Sequence, residues 1–109
     1  MERDRRRFRD ILDCADELAG YLRGVTLDDF QDNPMLRRAC ERLLMIIGEA
    51  AKNLSDGSRS QIDQPWRDII RFRDKGVHHY NALSDEAIYD IATISVPALA
   101  QAIHQHMGS

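Results

Sequence analysis

Long hydrophobic runs, strand-like alternation, internal repeats and clustered cysteines are all missing from this chain of 109 residues. No apolar stretch approaches the roughly 20 residues needed to cross a bilayer. The basic N-terminus is not followed by an unbroken apolar segment, so the expectation is a chain without a secretory signal, located in the cytoplasm. Its two cysteines, Cys14 and Cys40, are not spaced as a metal pair. Each falls inside an apolar helical pattern and reads as a buried reduced thiol. The formal net charge of −3 gives no reason of itself to expect nucleic acid.

What is present is a soluble globular composition, 43% hydrophobic and 30% charged, in a length that suits one domain spanning residues 1–109 or an obligate part of a larger assembly. The charge is unevenly placed. Arg3, Arg5, Arg6, Arg7 and Arg9 crowd one end, and Asp28, Asp29 and Asp32 cluster later. A local basic patch can track a phosphate backbone, and a solvated first turn is the plainer alternative.

Apolar residues recur at helical spacing through most of the chain. Phe8, Ile11, Leu12, Ala15, Leu18, Ala19 and Leu22 form one stripe over about residues 3–23, with Gly24 placed to stop the helix. Residues 26–33 read as a polar turn. Asn33 and Pro34 then make an N-cap and first helical position for a second stripe: Leu36, Cys40, Leu43, Leu44, Ile47, Ala50, Ala51 and Leu54. Met45 and Ile46 widen that stripe, which suggests burial on two sides, as at a dimer interface. A loop is expected from Ser55.

Pro65 opens a shorter helix carrying Trp66, Ile69, Ile70 and Phe72, weakened at Gly76. Ser84 caps a last helix with Asp85 and Glu86 in its first turn and Ile88, Ile91, Ala92, Ser95, Leu99 and Ile103 along one face. Pro97 interrupts it, predicting a kink rather than a stop because the periodicity resumes. The fold expected is an all-α bundle of four main helices. His104 and His106 lie near a C-terminus expected to fray, at a spacing that presents no metal site.

Candidate chemistry is concentrated in Arg73, Asp74, Lys75, Gly76, Val77, His78, His79 and Tyr80. Arginine is a permanent phosphate fork and histidine titrates near neutrality. At about 100° per residue, Arg73 and His78 diverge by about 140° in a straight helix. Their convergence needs a break at Gly76 or a second copy of the motif across a two-fold axis. From the residues alone, Arg73 is either such a fork or a buried salt-bridge arginine, with Glu49 as a candidate partner. Likewise, His78 and His79 are either site residues or ordinary polar groups in a helix-ending loop, and Tyr80 is either a site residue or, like Tyr89, an amphipathic core-edge residue.

The arrangement of Arg73, four residues, His78, one residue and Tyr80 is similar to the signature of HEPN-domain ribonucleases. Residues 44–55 (LMIIGEAAKNLS) and 65–70 (PWRDII) resemble the second helix and the pre-motif helix of the HepT-like branch, and Ser84 through Leu99 fits its closing helix. The resemblance covers roughly residues 5–105. It implies a four-to-five-helix up-and-down HEPN bundle that dimerises, with paired motifs forming a metal-independent endoribonuclease site in the interface cleft and no cofactor.

It further implies the toxin of a type VII toxin–antitoxin module, neutralised when an MntA-type minimal nucleotidyltransferase transfers AMP to the motif tyrosine. Carried over, Arg73 and His78 are catalytic and Tyr80 is the acceptor of AMP. Asp74, Lys75, His79 and Glu49 support the site, His79 by assisting or replacing His78. Asp74 departs from the asparagine common after the motif arginine. A carboxylate there repels a phosphate unless Lys75, Arg71 or a partner-chain arginine pairs with it. Two other classes remain beside the nuclease: a silent HEPN scaffold that binds nucleotide or a nucleotidyltransferase, and a purely structural helical dimer.

Overall fold

The computed structural model describes residues 2–75 and 84–108, with the side chains of Asp74 and Lys75 left out. Gly76, Val77, His78, His79 and Tyr80 lie outside the described residues. Among those described there is no strand, and the all-α class expected from the sequence is what is found.

The first helix, α1 (Glu2–Leu22), buries Phe8, Ile11, Leu12, Ala15, Leu18 and Leu22 along the expected stripe. Cys14 joins them, while Ala19 at the stripe's edge is exposed. Gly24 follows at φ 73°, the left-handed conformation that ends helices and that glycine adopts without steric cost. The polar stretch after it is not a plain turn: Leu27–Gln31 forms a short helix, α2. A capping box starts it, with the Asp29 amide donating to Thr26 Oγ1 at 3.1 Å and the Thr26 amide donating to Asp29 Oδ2 at 3.3 Å. Its Phe30 is fully buried against the Tyr89 ring, 5.6 Å between centroids. Tyr89 in turn donates its hydroxyl to the Val25 carbonyl at 2.6 Å.

Helix α3 (Pro34–Lys52) begins as its sequence predicts, the Asn33 side chain accepting from the Leu36 amide at 3.1 Å with Pro34 in the first turn. It packs on α1 along one side and on α5 (Trp66–Lys75) along another. Two neighbours within the same chain thus cover much of the wide apolar stripe of α3, while Met45 and Ile46, the residues that widen it, remain half-buried. Between these helices the loop expected from Ser55 is a one-turn helix, α4 (Asp56–Ser60), with Ser55 Oγ accepting from the Ser58 amide at 3.1 Å.

The last helical run comprises α6 (Asp85–Asp90), a π turn at Ile91–Ser95 and α7 (Val96–Gly108). Ser84 caps it through the Ala87 amide at 3.1 Å, as the sequence predicts. Pro97 has no N–H to donate, and its ring crowds the carbonyl four residues back. The backbone widens just before it, with the Val96 amide reaching the Ile91 carbonyl, and the helix then continues. That extra residue shifts the register: Val96 is buried where Ser95 was expected, and Ser95 is exposed. Near the chain's end His106 tilts against the buried Phe8 ring at 5.7 Å, so it packs rather than frays. Both cysteines are buried, and burial pushes each thiol up to about 11.

One buried charge organises the start of the bundle. Asp4, 5% exposed, accepts from the Ser55 amide at 3.0 Å and from the Ser55 and Ser58 hydroxyls at 2.6 and 2.7 Å. These hydrogen bonds, the two hydroxyls foremost, hold its carboxyl down at about 2 against the desolvation that raises it. The start of α1 is thereby pinned beyond the end of α3, and the two helices run antiparallel.

Candidate active site

Arg73 sits in the last turn of α5, and the structure brings it to Glu49 on α3, with Nε 2.6 Å from Oε2. The pairing anticipated between these two residues is formed, but at the surface and not as a buried salt bridge. Their side chains are 33% and 54% exposed, so this ion pair stands at the surface, within reach of a ligand.

Gly48 is what makes the meeting possible. A Cβ at this position would lie 2.8 Å from the Arg73 amide nitrogen, 3.0 Å from the Ile69 carbonyl oxygen and 3.2 Å from that of Ile70. All three are backbone atoms of α5, so nothing flexible can give way. A glycine in the apolar stripe of α3 therefore lets α5 approach backbone to backbone, and the next residue, Glu49, reaches Arg73. A glycine inside a helical pattern is the sequence signal for such an approach, although its role here emerges only from the packing.

The other end of α5 is fixed by Trp66, whose Nε1 donates to the carbonyls of Arg59 and Ile62, both at 2.9 Å. Arg59 itself caps α3: Nη1 donates to the carbonyls of Ala51 and Lys52 at 3.0 and 3.1 Å, and Nη2 donates to Asp56 at 2.6 Å. The Asn53 side chain adds a further cap on the Glu49 carbonyl at 2.9 Å. Arg59 satisfies orphan helix-end carbonyls, and with Trp66 it sets the registry of α5 against the end of α3 that carries Glu49.

Of the remaining anticipated site residues, Asp74 and Lys75 close α5 beside Arg73, and His78, His79 and Tyr80 lie outside the described residues. The structure thus brings together Arg73 and Glu49. Two cavities of about 570 and 640 Å³ lie elsewhere, one lined by Ile69, Phe72, Val96 and Leu99 and the other by Ile62, Ala102 and His106; neither is lined by Arg73 or Glu49.

Comparison with known proteins gives this geometry its family. Residues 11–106 match the family model of the ribonuclease HepT-like proteins. The chain belongs to this HepT-like ribonuclease family. Among its relatives is a protein of Methanocaldococcus jannaschii provisionally named as an RNase, 36% identical over 89 residues, covering 81% of this chain and 74% of the relative. A second, provisionally named in the same way, from Caldanaerobacter subterraneus, is 32% identical over 106 residues, 96% of this chain and 95% of its own. A third, named probable ribonuclease HepT, from Thermococcus cleftensis, is 30% identical over 93 residues, 84% of each chain. No solved structure matches the chain.

Proposed function

We propose that the chain is a metal-independent endoribonuclease, the toxin of a HepT/MntA-type toxin–antitoxin module, working as a homodimer whose paired motifs share one cleft. The observation that carries this reading is Arg73, held by Glu49 at 2.6 Å and five residues before His78, in a chain of ribonuclease family.

An RNA strand carries its own nucleophile, so the chain need supply only proton transfer and charge stabilisation. His78 takes the proton of the 2′-hydroxyl as its oxygen attacks phosphorus, the 5′-oxygen leaves, and a protonated histidine returns a proton to it. Arg73 holds the nonbridging oxygens as charge builds on them, with charge-assisted hydrogen bonds from a planar group. The Glu49 carboxylate keeps that plane oriented. His79 assists His78, and Lys75 offsets the negative charge of Asp74.

Tyr80 is the control point in this reading. Transfer of AMP from ATP to its hydroxyl by a minimal nucleotidyltransferase adds bulk and negative charge where the RNA phosphate sits, excluding substrate. The reading is tested by products and by mass. In EDTA the pure protein is expected to cut total RNA, leaving 2′,3′-cyclic phosphate ends, and to leave DNA whole; a requirement for added metal overturns it. With ATP and a partner nucleotidyltransferase, AMP is expected on Tyr80, and modification at another residue overturns that assignment.

The second reading, a HEPN scaffold of little or no activity, is favoured by one observation: a carboxylate already sits on Arg73. A protein that binds RNA or nucleotide but cuts neither RNA nor DNA would support it.

A further inference from the structure

We infer that the exposed arginine face at the start of α1 is the surface along which a single RNA strand enters the site, an inference that rests on the ribonuclease reading above. Arg3, Arg5, Arg6 and Arg9 are all exposed. At helical spacing the pairs Arg3–Arg6, Arg6–Arg9 and Arg5–Arg9 are neighbours, so the four form one continuous cationic surface.

The four arginines do not favour one another on a helix. Like charges three and four residues apart repel, and cations at a helix N-terminus oppose its dipole. Carboxylates that could compensate are close in sequence, Glu2 four residues before Arg6, Asp10 four after it and Asp13 four after Arg9. Yet among the described residues the one ion pair formed here is Arg7 with Asp10, at 3.8 Å. The four outward arginines have no ion-pair partner among the described residues, and a polyanion would supply one.

The segment is also held in place, unlike an ordinary fraying end. Asp4, in the midst of the arginines, is buried on Ser55 and Ser58 by hydrogen bonds of 2.6 to 3.0 Å. That clamp fixes the orientation of the turn, with the acid inward and the bases outward.

Its location matches the site. Ser55 follows α3 closely, and Asn53, two residues earlier, caps the carbonyl of Glu49, the residue that holds Arg73. Ser55 lies six positions along the chain from Glu49, three of them beyond the end of α3, so the two are at most about 20 Å apart. The start of α1, which carries the arginine face, and the Glu49 that holds Arg73 therefore lie at the same end of the bundle. Phosphate contacts of this kind position a strand without reading its sequence.

The test uses the whole protein and a fluorescein-labelled, mixed-sequence 20-nucleotide 2′-O-methyl RNA, which lacks the nucleophile and cannot be cut. Its Kd is measured against KCl concentration for the wild type, for R3Q/R5Q/R6Q/R9Q and for a control, R23Q/R38Q/R42Q, that removes exposed arginines elsewhere. Each lost phosphate contact on single-stranded nucleic acid flattens the log–log salt slope by about 0.7, so the α1 variant is expected to lose about 2 to 3 in slope and to bind at least about tenfold more weakly near 0.1 M salt. The melting temperature should hold or rise, because the replaced charges oppose the dipole, which separates lost binding from lost folding. Equal Kd and slope in wild type and α1 variant overturn the inference, as does an equal loss per charge in the control. A wild type that binds through α1 but cuts no ordinary RNA would sink the ribonuclease reading alone; one that cuts RNA while the α1 variant binds unchanged would sink this inference alone.

Discussion

The Arg73 amide passes so close to Gly48 that a methyl group there would sit 2.8 Å from its nitrogen. Elsewhere in a helix interior, replacing glycine with alanine stabilises by about 0.5–1 kcal/mol. Here three α5 backbone atoms block the methyl, so G48A is expected to destabilise by about 1–3 kcal/mol, the cost of forcing atoms into a packed contact. It should also separate Glu49 from Arg73 and lower RNA cleavage at temperatures where the variant is folded. Thermal denaturation checks the first part, and a melting temperature equal to or above the wild type contradicts it.

The Glu49 carboxylate orients Arg73 from an exposed position, so its contribution to stability and to catalysis should separate. Surface ion pairs contribute about 1 kcal/mol or less, and E49A is expected to shift the melting temperature by only a few degrees. Its kcat on RNA should fall about tenfold, or about 1.4 kcal/mol of transition-state stabilisation, with KM unchanged or lower because one repelling charge is gone. Faster cleavage by E49A would show the carboxylate to be an inhibitory latch instead.

Asp4 makes stability depend on acid. Its carboxyl is held at about 2 in the fold, below the ordinary 3.8. The stabilisation is therefore complete above about pH 4 and disappears as pH falls toward 2. At pH 7, D4A is expected to lose about 2 kcal/mol, since the fold favours the ionised carboxylate, and the gap in melting temperature should narrow as pH falls through about 2. A gap that stays constant from pH 7 to pH 2 would contradict the assignment.

Cys14 and Cys40 should be inert. With exposures of 7% and 0% and thiols raised to about 11 by burial, neither is a thiolate at neutral pH. A thiol reagent such as DTNB at pH 8 is expected to label neither in the native protein and both in denaturant. Rapid stoichiometric labelling without denaturant would contradict the packing of α1 on α3.

Much of the fold is legible in the sequence. The period of Phe8 through Leu22 and of Leu36 through Leu54 marks α1 and α3, and Asn33, Pro34 and Ser84 mark their own helix starts. The short helices at Leu27–Gln31 and Asp56–Ser60 were not legible as helices, because five residues are too few to show a period. Their chemistry was nonetheless present in Thr26, Asp29 and Ser55. Met45 and Ile46 widen the α3 stripe, but a stripe alone does not distinguish a neighbouring helix of the same chain from one of a partner. The regular period puts Ser95 on the buried face, and the π turn before Pro97 breaks that period. Arg73 and Glu49 could be paired from sequence, whereas Gly48 and Asp4 acquire meaning only once α3, α4 and α5 are packed.

The most direct test of the central claim is the cleavage of a defined RNA in EDTA by wild type, Arg73→Ala and His78→Ala under single-turnover conditions. Removing a transition-state charge donor or a general acid–base group typically costs about 10²- to 10⁴-fold. The wild type is expected to cut, and each variant to lose at least about a hundredfold in rate while keeping the wild-type circular dichroism spectrum. Undiminished cleavage by both variants would contradict the account.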